Sequence, residues 1–358
     1  MTLQRRVAVV GALLCMAAAL AGYAWFAWHG GPSHSPALRP EKLRCALPDD
    51  AASPHPGMVW VPAGSFSLGD TVYPEEGPMR PTSVQGFWMD RTEVSNAQFA
   101  AFVQATGYVT VAERAVDTQA HPGLPATMQQ PGAVVFVMPT DLQHGGDIRQ
   151  WWQYRAGANW RHPGGPDTSI EGLDAMPVVA VTLADAQAYA AWLGRELPTE
   201  AQWEWAARGG EDTAAGNTTQ PAQANTWQGL FPVNNRADDG FAGIAPVGCF
   251  APNGYGLFDM IGNVWELTRD VYRPFHDGRD NTPPDQPPAP TRSSSDPTPG
   301  QHVIKGGSYL CAPNYCMRYR AGARQGQEDD LATSHLGFRT ILSAAAARPP
   351  ATLQSRQQ

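Results

Sequence analysis

The chain has 358 residues, 42% of them hydrophobic and 16% charged, and it is rich in Gly (36), Pro (33) and Trp (12). That is a globular composition with many turns and an aromatic-filled core, long enough for one large domain or two small ones. The net charge is −8 and Lys occurs only at Lys42 and Lys305, which excludes the basic footprint of a nucleic-acid binder.

Arg5 and Arg6 precede an uncharged, mostly apolar run from Val7 to Trp28. A bilayer span needs roughly 20 such residues; the apolar region of a cleaved signal peptide is shorter, about 7–15, and ends in a small-x-small site. The run closes on Tyr23, Trp25, Phe26 and Trp28, side chains suited to a membrane interface. Residues 1–28 are therefore read as a membrane anchor, with a signal segment as the alternative. Either way the two arginines stay cytoplasmic and the remainder is extracytoplasmic, membrane-anchored or secreted, and periplasmic in a Gram-negative cell.

Residues 29–56 are rich in Pro, Ser and Ala and read as a tether, 57–342 as the folded domain and 343–358 as a disordered tail. Within the domain, Glu93–Thr106 carries Val94, Phe99, Phe102 and Val103 at helical spacing, with Ser95 as N-cap and Gly107 as stop. Thr182-x-x-Asp185 opens a second helix that runs to Leu193, and Thr199-x-x-Gln202 opens a third that runs through Ala207. Val59–Pro62, Phe87–Met89 and Val178–Val181 are short apolar runs that read as strands, and Asp277–Gly300 reads as a long surface loop. No solenoid or propeller repeat is present. So little regular structure implies that bound metal or polar networks order the loops.

The segment Gly306-Gly307-Ser308-Tyr309-Leu310-Cys311-Ala312-Pro313-Asn314-Tyr315-Cys316 carries the chemistry. On a helix the two cysteines would lie about 140° apart, and Pro313 argues against a helix, so a loop must bring the sulfurs together. Two thiolates without further ligands suit Cu(I) over harder metals. A structural disulfide, common in exported chains, stays open beside that reading. Zinc is disfavoured, because there is no C-x-x-C pair and no imidazole pair at the usual spacing.

Several stretches resemble the formylglycine-generating enzyme (sulfatase-modifying factor) family. They are Gly57-Met-Val-Trp-Val-Pro-Ala-Gly-Ser-Phe66, Phe87-Trp-Met-Asp-Arg-Thr-Glu-Val-Ser-Asn96 and Gly157-Ala-Asn-Trp-Arg-His-Pro163, followed by Leu197-Pro-Thr-Glu-Ala-Gln-Trp-Glu-Trp-Ala206, Asn253-Gly-Tyr-Gly-Leu-Phe-Asp-Met-Ile-Gly-Asn-Val-Trp-Glu266 and Leu336-Gly-Phe-Arg339. Most of these mark the fold. The Gly-Gly-Ser-Tyr-x-Cys-x4-Cys stretch is what separates the family's oxidases from its cysteine-less relatives. The resemblance implies an α+β fold, a single mixed domain of the sulfatase-modifying-factor, C-type-lectin-like type with low regular secondary structure.

It also implies an oxidase. Cys311 and Cys316 would bind Cu(I) nearly linearly, and a substrate cysteine would join as a third thiolate. Molecular oxygen, activated there, would take hydrogen from the substrate Cβ, and hydrolysis would leave the aldehyde. Ser308 matches a family active-site serine; as a turn serine after two glycines it has a structural reading too. The implied partner is an unfolded cysteine-type sulfatase or related hydrolase carrying Cys-x-Pro-x-Arg, and the enzyme is expected to be a monomer. Two structural calcium ions are implied as well. One would be held by Asn225, Asp239 and the carbonyls of Thr226 and Phe241, the other by Asp259, Glu266 and the carbonyls of Gly262 and Val264; hard cations need such oxygen-rich sets.

Ala190 and Ala321 stand where some animal relatives have structural cysteines, so those disulfides are not expected. Cys45 and Cys249 are left over and would bridge tether to domain in an oxidising compartment. The alternative function is a non-catalytic, membrane-tethered binding module of the same fold with Cys311 and Cys316 closed as a disulfide. A non-haem iron oxidase ranks low, since the nine histidines show no paired spacing.

Overall fold

A computed structural model describes residues 45–344 apart from 46, 120–122, 141, 143–145, 212–214 and 277–299. The anchor, most of the tether, the tail beyond 344 and nearly all of the 277–300 loop lie outside the described residues. Among the described residues no helix is long and apolar enough to cross a membrane.

Three helices form where the sequence caps them. Helix α1 (Asn96–Thr106) begins at Ser95, whose Oγ accepts the Gln98 N–H while Gln98 Oε1 accepts the Ser95 N–H at 2.8 Å. Helix α2 (Leu183–Trp192) opens on the same reciprocal pair between Thr182 and Asp185, and α3 (Glu200–Arg208) on Thr199 and Gln202. Each such cap contributes about 1 kcal/mol. The first helix is shorter than predicted, because Glu93 and Val94 run extended. There Val94 donates to the Phe338 carbonyl and accepts from the Val178 N–H, both at 2.9 Å.

The predicted strand at Val178–Val181 joins no ladder. It is buried, but Ala180 turns into left-handed backbone with φ of 56°, and instead of a partner strand the run uses single bonds, Val178 to the Val94 carbonyl and Ala180 to the Thr333 carbonyl. The predicted strands at Val59–Pro62 and Phe87–Met89 appear as β1 (Met58–Val61) and β4 (Phe87–Asp90). With β11 (Ile341–Ser343) they form an antiparallel sheet in the order β1-β4-β11. The sequence of the remaining elements is β2 (Gly64–Leu68), β3 (Arg80–Val84), β5 (Gly132–Phe136), β6 (Trp152–Ala156), β7 (Trp265–Val271), β8 (Gln301–Lys305), β9 (Gln325–Glu328) and β10 (Leu336–Gly337). β2-β3 and β5-β6 are two-stranded, and β10-β7-β8-β9 make a four-stranded sheet in which only β10 and β7 run parallel.

The ladder of the four-stranded sheet positions the site. Glu266 is paired with Lys305 and Trp265 with Leu336. The start of β7, the end of β8 and the start of β10 therefore coincide, so the segments that leave them, Gly306 onward and His335, emerge side by side. Beneath them the main core packs Phe99, Phe102 and Tyr189 from the first two helices against Trp160, Trp265, Leu267, Ile304 and Phe338, with Cys311 and Cys316 at its boundary.

Polar groups are buried along with this core. Lys305 is fully buried with Nζ 3.0 Å from Glu204, and Arg339 is fully buried against Glu266; such charges are tolerable only when paired. The domain also starts earlier than residue 57. Cys45 is disulfide-bonded to Cys249, the Arg91 guanidinium donates to the Pro48 carbonyl at 2.8 Å, and Asp50 accepts the Gly57 N–H. The tether predicted over 29–56 is therefore fastened to the domain from Cys45 onward. At the other end Ser343, assigned to the tail, pairs with Phe87 in β11.

Candidate active site

After β8 the chain turns at Gly306 and Gly307, both with positive φ. A Cβ on Gly307 would stand 2.8 Å from the Arg318 carbonyl oxygen and 3.2 Å from Cys311 Sγ, so glycine lets the loop fold back onto its own far limb. Two tight turns follow: Cys311 N–H donates to the Ser308 carbonyl at 2.9 Å, and Cys316 N–H to the Ala312 carbonyl at 2.8 Å. They bring the thiols, 1% and 7% exposed, within hydrogen-bonding reach of each other, and both cysteines are free.

The two sulfurs differ in environment. The hydrogen bond from Cys311, then the Arg318 backbone amide and its guanidinium charge, bring Cys316 down to about 7 against the opposing effect of burial. Burial, reinforced by its neighbour Cys316, pushes Cys311 well up. The pair is thus arranged to hold one thiolate and one thiol.

Arg318 was not anticipated from the sequence. It bonds Glu75 and lies 4.1 Å over the Tyr73 ring, while the Tyr73 hydroxyl accepts the Met317 N–H at 3.1 Å. These contacts hold the guanidinium beside Cys316. A cation two residues from a candidate thiolate was the available signal.

The cysteines border a cavity of about 260 Å³ lined also by Ser308, Leu310, Trp152, Trp265, Thr333 and His335. Ser308 is fully buried and its Oγ accepts the Leu310 N–H at 3.3 Å, so it combines a turn role with a place on the wall. None of Trp152, Thr333 or His335 could be assigned from sequence, because β5, β6 and the approach to β10 meet the cysteine loop only through the fold.

The residues of the expected first calcium set are neighbours in the fold. Asp239 accepts the Thr226 N–H at 3.1 Å and the Phe241 N–H at 3.0 Å. Neighbouring Asn225 uses its Nδ2 on Gly243 and Asn263, leaving a buried Oδ1 with no partner. An unpartnered buried oxygen of this kind fits a cation.

In the second set Asp259, with φ of 54°, accepts the Gly248 N–H at 2.5 Å through one oxygen and leaves the other unpartnered. Gly262 and Val264 follow in the same loop; a Cβ on Gly262 would collide with the Asn225 carbonyl oxygen at 2.2 Å. Glu266 is placed differently from expectation. Arg339 and the Trp203 indole take up both its oxygens at 2.7 Å. The other carboxylate in this cluster with an open buried oxygen, besides Asp259, is Glu93, whose second oxygen accepts from Asn263. Among the described residues no three His, Cys, Asp or Glu side chains converge on a metal position. An ion at either place would therefore lean on main-chain and amide oxygens.

Fold and site together define an irregular α+β domain that presents two free thiols at the wall of a small, aromatic-lined cavity. The chain belongs to the sulfatase-modifying factor family: the model described as "Sulfatase-modifying factor enzyme 1-like domain" matches residues 45–344. It is 50% identical to the formylglycine-generating enzyme of Mycobacterium tuberculosis over 79% of this chain and 97% of that one. It is 41% identical to the formylglycine-generating enzyme of Bos taurus over 82% and 76%. A mouse relative named as an inactive Cα-formylglycine-generating enzyme 2 is 37% identical over 81% and 86%, so membership alone does not decide activity. Among solved structures, PvdO from Pseudomonas aeruginosa superposes with a TM-score of 0.54 at 24% identity, over 80% of this chain and 94% of that one, a likeness of fold.

Proposed function

We propose that this chain is an enzyme that converts a cysteine of a sulfatase-type polypeptide into formylglycine, in the cavity bordered by Cys311 and Cys316. The observation that carries this reading is the pair of free, neighbouring thiols opening onto a space of about 260 Å³. Two soft sulfur donors without further ligands fit Cu(I). Bound copper would supply the activation of molecular oxygen, the co-substrate.

The chain's own residues account for the rest. Cys316, held beside Arg318, is the sulfur poised as thiolate, and Cys311 would supply the second sulfur as the incoming metal displaces its proton to solvent. Trp152, Trp265 and Leu310 exclude water from the space a substrate cysteine would occupy. Ser308 sits on the wall with its Oγ fixed by Leu310, able to donate toward that cysteine.

The expected substrate segment is Cys-x-Pro-x-Arg, presented by a hydrolase before it folds. Calcium is assigned a structural role, at Asn225, Thr226, Asp239 and Phe241 and at Asp259, Gly262 and Val264, with Glu93 favoured over Glu266 as the second carboxylate because its open oxygen is available. The N-terminal segment would tether the domain outside the cytoplasm, and the Cys45–Cys249 disulfide supports an oxidising compartment.

The test is mass spectrometry of a Cys-x-Pro-x-Arg peptide incubated with the reduced full chain, Cu(I) and oxygen. Wild type should replace sulfur by an aldehyde, and Cys311→Ala and Cys316→Ala should not. Absence of both Cu(I) binding and aldehyde would favour the binding-module reading instead.

A further inference from the structure

One imidazole on the cavity wall has no part in the chemistry above. His335 immediately precedes β10, and its carbonyl accepts the Trp265 N–H at 2.9 Å. Its Nδ1 lies 3.1 Å from Thr333 Oγ1, and its ring packs 4.7 Å from that of Trp152 at 41°. Backbone, ring face and one nitrogen are thus fixed by three different elements. The second nitrogen, Nε2, has no partner among the described residues, on a side chain that lines the same space as Cys311, Cys316 and Ser308.

A neutral imidazole has one donor and one acceptor nitrogen. The Thr333 hydroxyl can donate to Nδ1 or accept from it; the arrangement in which it donates places the proton on Nε2. Burial pushes this histidine's pKa down to about 3, so the ring stays neutral over the physiological range and is too weak a base to take a thiol proton. In that tautomer what remains is a rigidly held hydrogen-bond donor.

A polypeptide that delivers a cysteine to the two sulfurs must bring main-chain carbonyls into a space walled by Val134, Trp152, Trp265 and Leu310. Those carbonyls lose water there and need donors. Arg318 is turned to Glu75 and Cys316, and the Ser308 hydroxyl is placed toward the target cysteine itself, which leaves the imidazole to serve the main chain. We propose that His335 is a substrate-positioning residue: its Nε2–H donates to a main-chain carbonyl beside the target cysteine, and Thr333 holds the ring in the tautomer that does so. This rests on the proposed function, in that the occupant is taken to be a cysteine-bearing polypeptide.

The experiment uses the full reduced chain and a fluorescent Cys-x-Pro-x-Arg peptide with serine in place of the target cysteine, read by anisotropy. His335→Phe keeps a ring against Trp152 and removes both nitrogens; loss of one such hydrogen bond should weaken binding by about tenfold. Cu(I) stoichiometry and melting temperature should be unchanged. Thr333→Val should fall between, and His335→Asn, which keeps a donor, should recover part of the loss. In turnover with the cysteine peptide, KM should rise more than kcat falls.

Wild type failing to bind the serine peptide overturns the assignment, and so does His335→Phe binding within about twofold of wild type, less than one net hydrogen bond. Loss of Cu(I) affinity in His335→Phe assigns the ring to the metal and overturns it as well. Peptide binding that depends on His335 with no aldehyde formed would instead sink the oxidase reading and leave His335 in place.

Discussion

Lys305 links the fold to the site, since it ends β8 and the cysteine loop begins at the next residue. Its Nζ lies 3.0 Å from Glu204 and 3.6 Å from Glu200. Arg208 holds Glu204 at 2.9 Å, Arg324 holds Glu200 at 2.8 Å, and Asp270 accepts the Glu200 N–H at 2.7 Å. Three cations thus face three carboxylates. Lys305→Met keeps the bulk but leaves two cations for three carboxylates, so it should cost about 3–5 kcal/mol, the range for breaking a buried pair. For a domain of this size that is a fall in Tm of about 6–12 °C. Adding Glu204→Gln removes the surplus charge, while the amide oxygen can still accept from Gly69 N–H and Arg208, as Glu204 Oε1 does. The double variant should therefore regain at least about half of the loss, a coupling of about 1.5–3 kcal/mol. Urea unfolding with the disulfide intact, at pH 8 and pH 5.5, measures both, and the Lys305→Met penalty should shrink at the lower pH as carboxylates protonate. A Lys305→Met cost under about 1 kcal/mol, or a double variant no better than the single, would refute the charge-balance argument.

Asp270 gives a pH-dependent counterpart. Burial and the Glu200 charge raise it to about 6 from 3.8. The folded state therefore binds its proton more tightly than the unfolded chain, and this contribution is complete below pH 4 and lost as pH rises through about 6. Asp270→Asn should be more stable than wild type by about 2–3 kcal/mol at pH 8 and converge with it near pH 4, measured by urea unfolding. The Cys45–Cys249 bond closes a sequence separation of 204; replacing both cysteines by serine should cost about 2–5 kcal/mol by the chain-entropy argument. Differential scanning fluorimetry with and without reductant should then bring wild type down to the variant. For calcium, Glu93→Gln should reduce the gain in Tm between chelator and added Ca²⁺. Glu266→Gln, which breaks the Arg339 pair, should lower Tm under both conditions.

What the sequence disclosed follows from the range of each signal. Capping pairs such as Thr182 with Asp185 lie within one turn, so four residues of sequence carry the whole interaction, and all three capping residues were readable even though the sequence pattern starts the first helix at Glu93. The cysteine loop was readable for the same reason, since glycines, Pro313 and both sulfurs lie in one short segment. Partners brought together by the ladder were not. Trp265, Thr333 and His335 meet only because the parallel pairing of β7 and β10 aligns their ends, and no local periodicity encodes that register. The family resemblance implies Glu266, in the same segment as Asp259, as a calcium ligand. Its actual partner, Arg339, arrives from across the domain, and Glu93 arrives from the approach to α1. The Val178–Val181 run shows the converse limit. Its apolar character correctly marks burial, but the left-handed turn at Ala180 breaks the strand and single hydrogen bonds to Val94 and Thr333 replace a ladder there.

The candidate cation loops and the cysteine loop are one mechanical unit. Gly262 N–H donates to the Gly306 carbonyl, Tyr309 N–H to the Asn263 carbonyl, and Trp227 N–H to the Cys311 carbonyl, at 2.9–3.0 Å. The cysteine loop has no ladder of its own, so its shape is set by the 225–227 and 259–263 segments. Those segments carry the unpartnered oxygens of Asn225 and Asp259, with Glu93 beside them, and Asp259 and Asn263 both adopt left-handed backbone. Buried oxygens without donors and strained backbone are each unfavourable alone. A cation that satisfied them would stabilise the segments to which the sulfurs are bonded, holding the spacing between Cys311 and Cys316 without touching either. Calcium bound there, as proposed, would therefore hold the geometry of the thiol pair through three main-chain hydrogen bonds.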